Sequence, residues 1–182
     1  VQTGHIKAMV GLERKDSANY QTCENFSQAH ESALMHPISI LAALETGKVK
    51  LTDMVDVGDG SYSVQDRELK DHNWHRGGHG EISIKQGIAF AWFCIGYNQT
   101  ITPIQTLTFY NAIANSGKMV QPQLYKDSTT VINPQIASQA NIDSLKQALE
   151  YVVTDGLGQP AKSDKVQIAG ETGTVQLEDG SY

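Results

Sequence analysis

Helix-like patterns fill the middle of this chain, and strand-like patterns occupy its two ends. That distribution limits the fold more than any single residue does. Strands so far apart in sequence can meet only in a sheet assembled from distant segments, with the helices laid over it. The expectation is an α/β fold of the α+β type, an antiparallel sheet flanked by helices, built by residues 1–182 as one domain. An apolar fraction of 40% can supply a single core of that kind.

The first strand is expected over residues 5–12, where His5-Ile6-Lys7-Ala8-Met9-Val10 mixes apolar and polar residues closely. A polar, irregular stretch follows to about residue 25. Two further strand-like runs, 165–169 and 172–177, flank a Gly-Glu-Thr-Gly break near the other end. These runs, with 5–12 and 172–177 in one antiparallel sheet, form the expected core layer.

Between them, Pro37 opens a helical pattern over 37–46 with Ile38, Leu41, Ala42 and Glu45 on one stripe, and Gly47 stops it. Residues 48–80 are rich in Gly, Asp, Ser and His and read as loop with short extended pieces. A short helix is expected over 82–91 with Ser83 as its cap. Thr102-Pro103-Ile104-Gln105 is a capping box with proline in the first turn, and the helix it opens runs to about residue 115, before Gly117. The last helix is expected over 142–153, with Ile142, Leu145, Leu149 and Val152 on one face, Asn141 as cap and Asp155-Gly156 as its close.

Charge narrows the function. A net charge of −6, with Lys and Arg scattered, gives no footprint for nucleic acid or an anionic membrane. The aromatic residues are too dispersed to form a stacking platform for bases. No apolar run reaches the length of a bilayer span, and no basic, then apolar, leader follows Val1. Cys23 and Cys94 lack metal-ligand spacing and read as buried or idle thiols.

Four segments, in order, carry a family resemblance. They are Thr3-Gly4-His5-Ile6-Lys7-Ala8-Met9-Val10; Ala33-Leu34-Met35-His36-Pro37-Ile38; Ile95-Gly96-Tyr97-Asn98-Gln99-Thr100-Ile101-Thr102-Pro103-Ile104-Gln105, continuing to Asn115-Ser116-Gly117; and Gly170-Glu171-Thr172-Gly173-Thr174. Together they resemble the opening strand, the Ser-x-x-Lys-Pro helix, the Thr-Pro-x-Gln helix and the Lys-Thr-Gly-Thr strand of penicillin-binding transpeptidase domains. Asp71-His72-Asn73-Trp74-His75-Arg76-Gly77-Gly78 is similar to the Bacteroidetes branch of the division-specific, class B members.

The resemblance implies a penicillin-binding, β-lactamase-like transpeptidase fold, here incomplete. It implies acyl transfer from a D-alanyl-D-alanine stem peptide of peptidoglycan, with β-lactams as diagnostic ligands. It also implies cell-wall synthesis proteins as partners and a periplasmic location behind an N-terminal anchor. Family chemistry uses a serine nucleophile, a lysine one turn later, and a Lys-Thr-Gly strand that binds the substrate carboxylate. The nucleophile position falls here on Ala33, which has no attacking oxygen, and the general-base position on His36. The substrate-binding positions fall on Glu171, Thr172, Gly173 and Thr174, with a carboxylate where the family carries an ammonium. The stretch expected to hold the Ser-x-Asn motif is missing near Ala91-Trp92, and the chain stops before the strands that follow the last motif in the family. The expectation is a transpeptidase homologue that is inactive as written. The alternative is a non-catalytic binding or scaffold module of the cell-wall machinery.

Two other constellations read as structural. Ser32 and His36 stand four residues apart, yet no third group orients the pair, so Ser32 is expected to cap the helix. His72, His75 and His79 with Asp71 lack finger-type spacing and sit beside Gly77-Gly78, which favours a solvated loop. No metal and no cofactor are expected.

Overall fold

The computed structural model describes residues 1–23, 30–31, 33–64, 67–90, 100–125 and 128–173. Helices and short antiparallel strand pairs alternate along it, in keeping with the expected mixed class. The four helices are α1 (His36–Glu45), α2 (Ile84–Phe90), α3 (Pro103–Ala114) and α4 (Gln139–Thr154). None is long and apolar enough to cross a membrane. The chain separates into two compact units, one of Val1–Ser32 with Tyr97–Gln139, the other of Ala33–Gly96 with Ala140–Tyr182.

In the first unit α3 starts where its capping box predicts. The Thr102 amide donates to Gln105 Oε1 at 2.8 Å, so the backward half of the box is made. Gly117, at φ 92°, donates its amide to Ala112 O at 2.8 Å and closes the helix in the left-handed conformation. Ala112 and Ile113 then pack inward with Val120, from the strand pair Met119–Val120 and Val131–Asn133.

The expected strand over 5–12 is corrected by the structure. Only His5 makes a bridge, in parallel with Gln123, and 6–11 carry no ladder. The reason lies at Gly4, whose φ is +73° and where a Cβ would sit 2.1 Å from Gln121 O. This close approach fixes the segment to one point rather than along an edge. Pairing begins at Leu12, the last residue of the expected strand, and joins Leu12–Arg14 to Tyr20–Thr22 in the stretch expected to be irregular. Asp16 makes the turn: its Oδ1 accepts from the amides of Ala18 and Asn19 at 2.9 Å each. The Asn19 side chain first, and the Ala18 amide after it, hold that exposed carboxyl below its usual range.

The second unit is organised by α4. Its predicted stripe is real: Ile142, Leu145, Leu149 and Val152 are all buried. The helix begins three residues earlier than expected, so Ser138 takes the N-cap position and Asn141 lies inside. Asn141 instead reaches across to α1, donating to Glu45 Oε1 at 2.6 Å. On α1 the buried stripe is Pro37, Ile40, Leu41 and Leu44, not Ile38, Leu41, Ala42 and Glu45. Both sets have helical spacing, and burying Ile40 and Leu44 removes far more apolar surface from water than burying Ala42 and Glu45. Ser83 caps α2 as expected, in a reciprocal box: Gln86 N donates to Ser83 Oγ at 3.2 Å and Ser83 N to Gln86 Oε1 at 3.0 Å.

After α4 the chain turns back against α2. Leu157 N donates to Ala89 O at 3.1 Å, and a Cβ on Gly156 would lie 2.9 Å from the Ala89 Cβ. Residues 165–169 form no strand. They run along α4 instead, where Val166, Gln167 and Ile168 line a cavity of about 180 Å³ with Glu150, Val153 and Thr154. Of these residues Ile168 is half-buried, while Val166 stays 62% exposed. Residues 172 and 173 are likewise not in a strand, and 174–177 lie outside the described residues.

The short extended pieces expected within 48–80 are present, and the loop between them is closely built. Met54–Asp56 pairs with Glu81–Ser83, and Ser61–Val64 with Arg67–Lys70. Gly60, Gly78 and Gly80 then let the intervening backbone fold upon itself, with Gly80 N donating to Gly58 O at 2.9 Å and Asp71 N to Gly60 O at 2.7 Å. Asp71 is buried as a result.

Candidate active site

Position 33 opens a tight 3₁₀ turn, Ala33–Met35, that runs directly into α1. Leu34, at φ −85° and ψ 21°, kinks the chain between this turn and the helix. Pro37 in the first turn costs no hydrogen bond there and fixes the entry of the helix. His36 is thus held at the N-terminal end of α1, with its side chain 9% exposed.

The second strip of the site comes from the far end of the unit. Gly170 N donates to Leu149 O at 3.1 Å, which ties the extended segment to α4 just before Glu171. Glu171 turns inward, with its side chain 2% exposed, and its Oε1 lies 3.6 Å from His36 Nδ1. The two substituted positions therefore meet. Their separation is slightly beyond a hydrogen bond, so the contact is one of charge and dipole. Among the described residues, His36 Nδ1 and Glu171 Oε2 have no hydrogen-bond partner. Thr172 N donates to Glu171 Oε1 at 3.2 Å, which steadies the carboxylate.

The structure brings Ala33, His36, Glu171 and Thr172 into one unit and sets His36 against Glu171. Gly173 follows, exposed. Thr174, Ser32, Cys94 and the stretch near Ala91-Trp92 lie outside the described residues. Cys23 is unbridged. The sequence suggests that Glu171 repels a ligand carboxylate. The structure instead directs that carboxylate at His36 and removes it from water. Sequence reasoning misses the pairing because it compares position 36 and position 171 each with the family alone, not with one another.

Chemically, this arrangement has an imidazole and a carboxylate but no side-chain oxygen or sulfur at the attacking position. It cannot form an acyl-enzyme through residue 33.

Comparison with known proteins supports the architecture and the family. The family model for the penicillin-binding protein transpeptidase domain matches residues 85–181. Stage V sporulation protein D of Bacillus subtilis (strain 168) is 28% identical over an alignment 100 residues long that covers 48% of this chain and 16% of that protein. Among solved structures, the transpeptidase domain of penicillin-binding protein 3 from Burkholderia pseudomallei superposes with a TM-score of 0.71 at 16% identity, covering 98% of this chain and 68% of that one. The D,D-transpeptidase domain of a peptidoglycan glycosyltransferase from Eggerthella lenta gives 0.69 at 13% identity, covering 84% and 55%. At these identities the structural likeness shows the fold alone.

Proposed function

The chain belongs to the penicillin-binding protein transpeptidase domain family, and from that premise we propose that it keeps the family's stem-peptide site without the family's acylation chemistry. The observation that carries this reading is the buried His36–Glu171 contact three residues after Ala33. Where the family sets two ammonium groups around a serine, this chain sets an imidazole and a carboxylate that compensate each other beside an alanine. Loss of the nucleophile alone lowers turnover in a serine hydrolase by about a million-fold. On this reading the domain lies in the periplasm, anchored through a preceding segment, with peptidoglycan stem peptides as its ligand class.

Covalent labelling by a fluorescent penicillin is the direct test, with an active penicillin-binding protein as positive control. The expected result is an unlabelled band for this chain. A labelled band would show that a residue other than Ala33 supplies the nucleophile, and the reading would fail.

One observation favours a second reading, a binding or scaffold module for cell-wall synthesis proteins. The strand pair Leu12–Arg14 and Tyr20–Thr22 is exposed throughout, with Leu12 62% and Tyr20 61% accessible. An outward strand pair with apolar side chains is a surface that other chains can extend. Crosslinking from position 12 or 20 to a cell-wall synthesis protein supports this reading, and the absence of any such product counts against it.

A further inference from the structure

Past the end of α4 the chain doubles back along the helix. Gly158 N donates to Val152 O at 2.9 Å, and Gly170 N donates to Leu149 O at 3.1 Å. The segment between them is fastened to α4 at both ends, and with the helix it lines the cavity of about 180 Å³. We propose that this cavity binds a free α-amino acid with a compact aliphatic side chain. The cavity shares no lining residue with the His36–Glu171 pair, so its ligand does not depend on the reading of that pair.

Backbone holds the shape. A Cβ on Gly158 would lie 2.9 Å from Val152 O, so glycine is what lets the chain leave the helix so closely. Gln159–Ala161 then makes a 3₁₀ turn, closed by Lys162 N donating to Gln159 O at 2.9 Å, and this turn delivers Lys162 to the cavity. Ser163 Oγ accepts from Lys165 N at 3.1 Å and makes a second local turn. From the helix side, Glu150, Val153 and Thr154 are spaced i, i+3 and i+4 and so share one face.

The lining combines an apolar surface with two opposite charges. Val153 is buried, Ile168 is half-buried and Val166 is 62% exposed. An aliphatic ligand would therefore cover apolar surface that the chain itself leaves in water. Glu150 brings a carboxylate and Lys162 an ammonium. Among the described residues, neither side chain has an ion-pair or hydrogen-bond partner. An anion alone would be repelled by Glu150, and a cation alone by Lys162. A zwitterion satisfies both, with its ammonium toward Glu150 and its carboxylate toward Lys162. The C-terminal end of α4 carries partial negative charge, which adds to Glu150 in favouring the ammonium. Size agrees with a small ligand, since an apolar cavity of about 150 Å³ accepts a six-carbon ring. Alanine and valine are of that order.

Methyl NMR on the isotopically labelled chain tests the site without any variant. Valine should move the methyl signals of Val153, Val166 and Ile168, with a dissociation constant of about 0.1–10 mM. Isovalerate, which lacks the ammonium, and isobutylamine, which lacks the carboxylate, should each bind about fivefold more weakly or worse. Glu150→Gln should weaken valine by about five- to tenfold and improve isovalerate, and Lys162→Met should weaken valine and improve isobutylamine. Comparing both hands of alanine and valine separates a cell-wall source, which supplies D forms, from the general amino-acid pool, and binding of either hand supports the site. No methyl shift up to about 50 mM valine would overturn the proposal. Equal binding of valine, isovalerate and isobutylamine would overturn it as well, because the two charges would then have no part in recognition.

Discussion

At the scale of single residues, the proposed reading rests on what stands at positions 33, 36 and 171. On that reading Ala33→Ser is expected to leave penicillin acylation undetectable, because His36 and Glu171 remain where the family carries lysines and such groups act as a unit. Acylation of that variant, followed by intact-protein mass, is the check, and a stoichiometric adduct would show that the restored hydroxyl alone suffices. The buried pair makes a second prediction. His36→Ala and Glu171→Ala should be non-additive, with a coupling of about 0.5–3 kcal/mol in urea denaturation. Strict additivity would mean that the 3.6 Å contact contributes nothing. The sequence singled out these residues one by one. Their contact was not legible, because nothing local to either residue encodes a partner so distant along the chain. The loop around Asp71 shows the same limit from the other side: the glycines that looked like flexible punctuation are the residues that allow the close packing.

At the scale of elements, the signals that proved reliable are those made and satisfied within one turn. The boxes at Ser83 and Thr102, the stops at Gly47 and Gly117, and the α4 stripe all depend on neighbours three or four residues away. Ser83→Ala should therefore cost about 1 kcal/mol and lower the melting temperature by about 2–4 °C. An unchanged melting temperature would indicate that packing against Gly156 and Leu157 holds α2 without its cap. Strands are less legible, since a strand needs a partner that periodicity cannot name. Residues 5–12 and 165–169 have acceptable strand composition, yet one is pinned at a single bridge and the other lies along a helix. The pair Leu12–Arg14 and Tyr20–Thr22 is hidden in polar sequence, with the Asp16 turn as its only local signal.

At the scale of the molecule, each compact unit is stitched from two separated stretches of chain. A truncation after residue 139 should do more than remove α4. It takes Ile142, Leu145, Leu149 and Val152 from the core that α1 and α2 share, so circular dichroism should lose helix well beyond the deleted residues. Loss confined to the signal of α4 would show that 33–96 holds its own structure. The same interleaving has a consequence during synthesis. Val1–Gly96 leaves the ribosome before Tyr97–Tyr182, and it contains the opening part of both units and the whole of neither. At about 5–20 residues per second, several seconds pass before the first unit is complete, and the second must wait longer for α4. Through that interval the apolar faces of α1 and α2 have no lasting cover. The chain's yield in cells should therefore depend on translation speed across 97–139 more than on the stability of the finished fold.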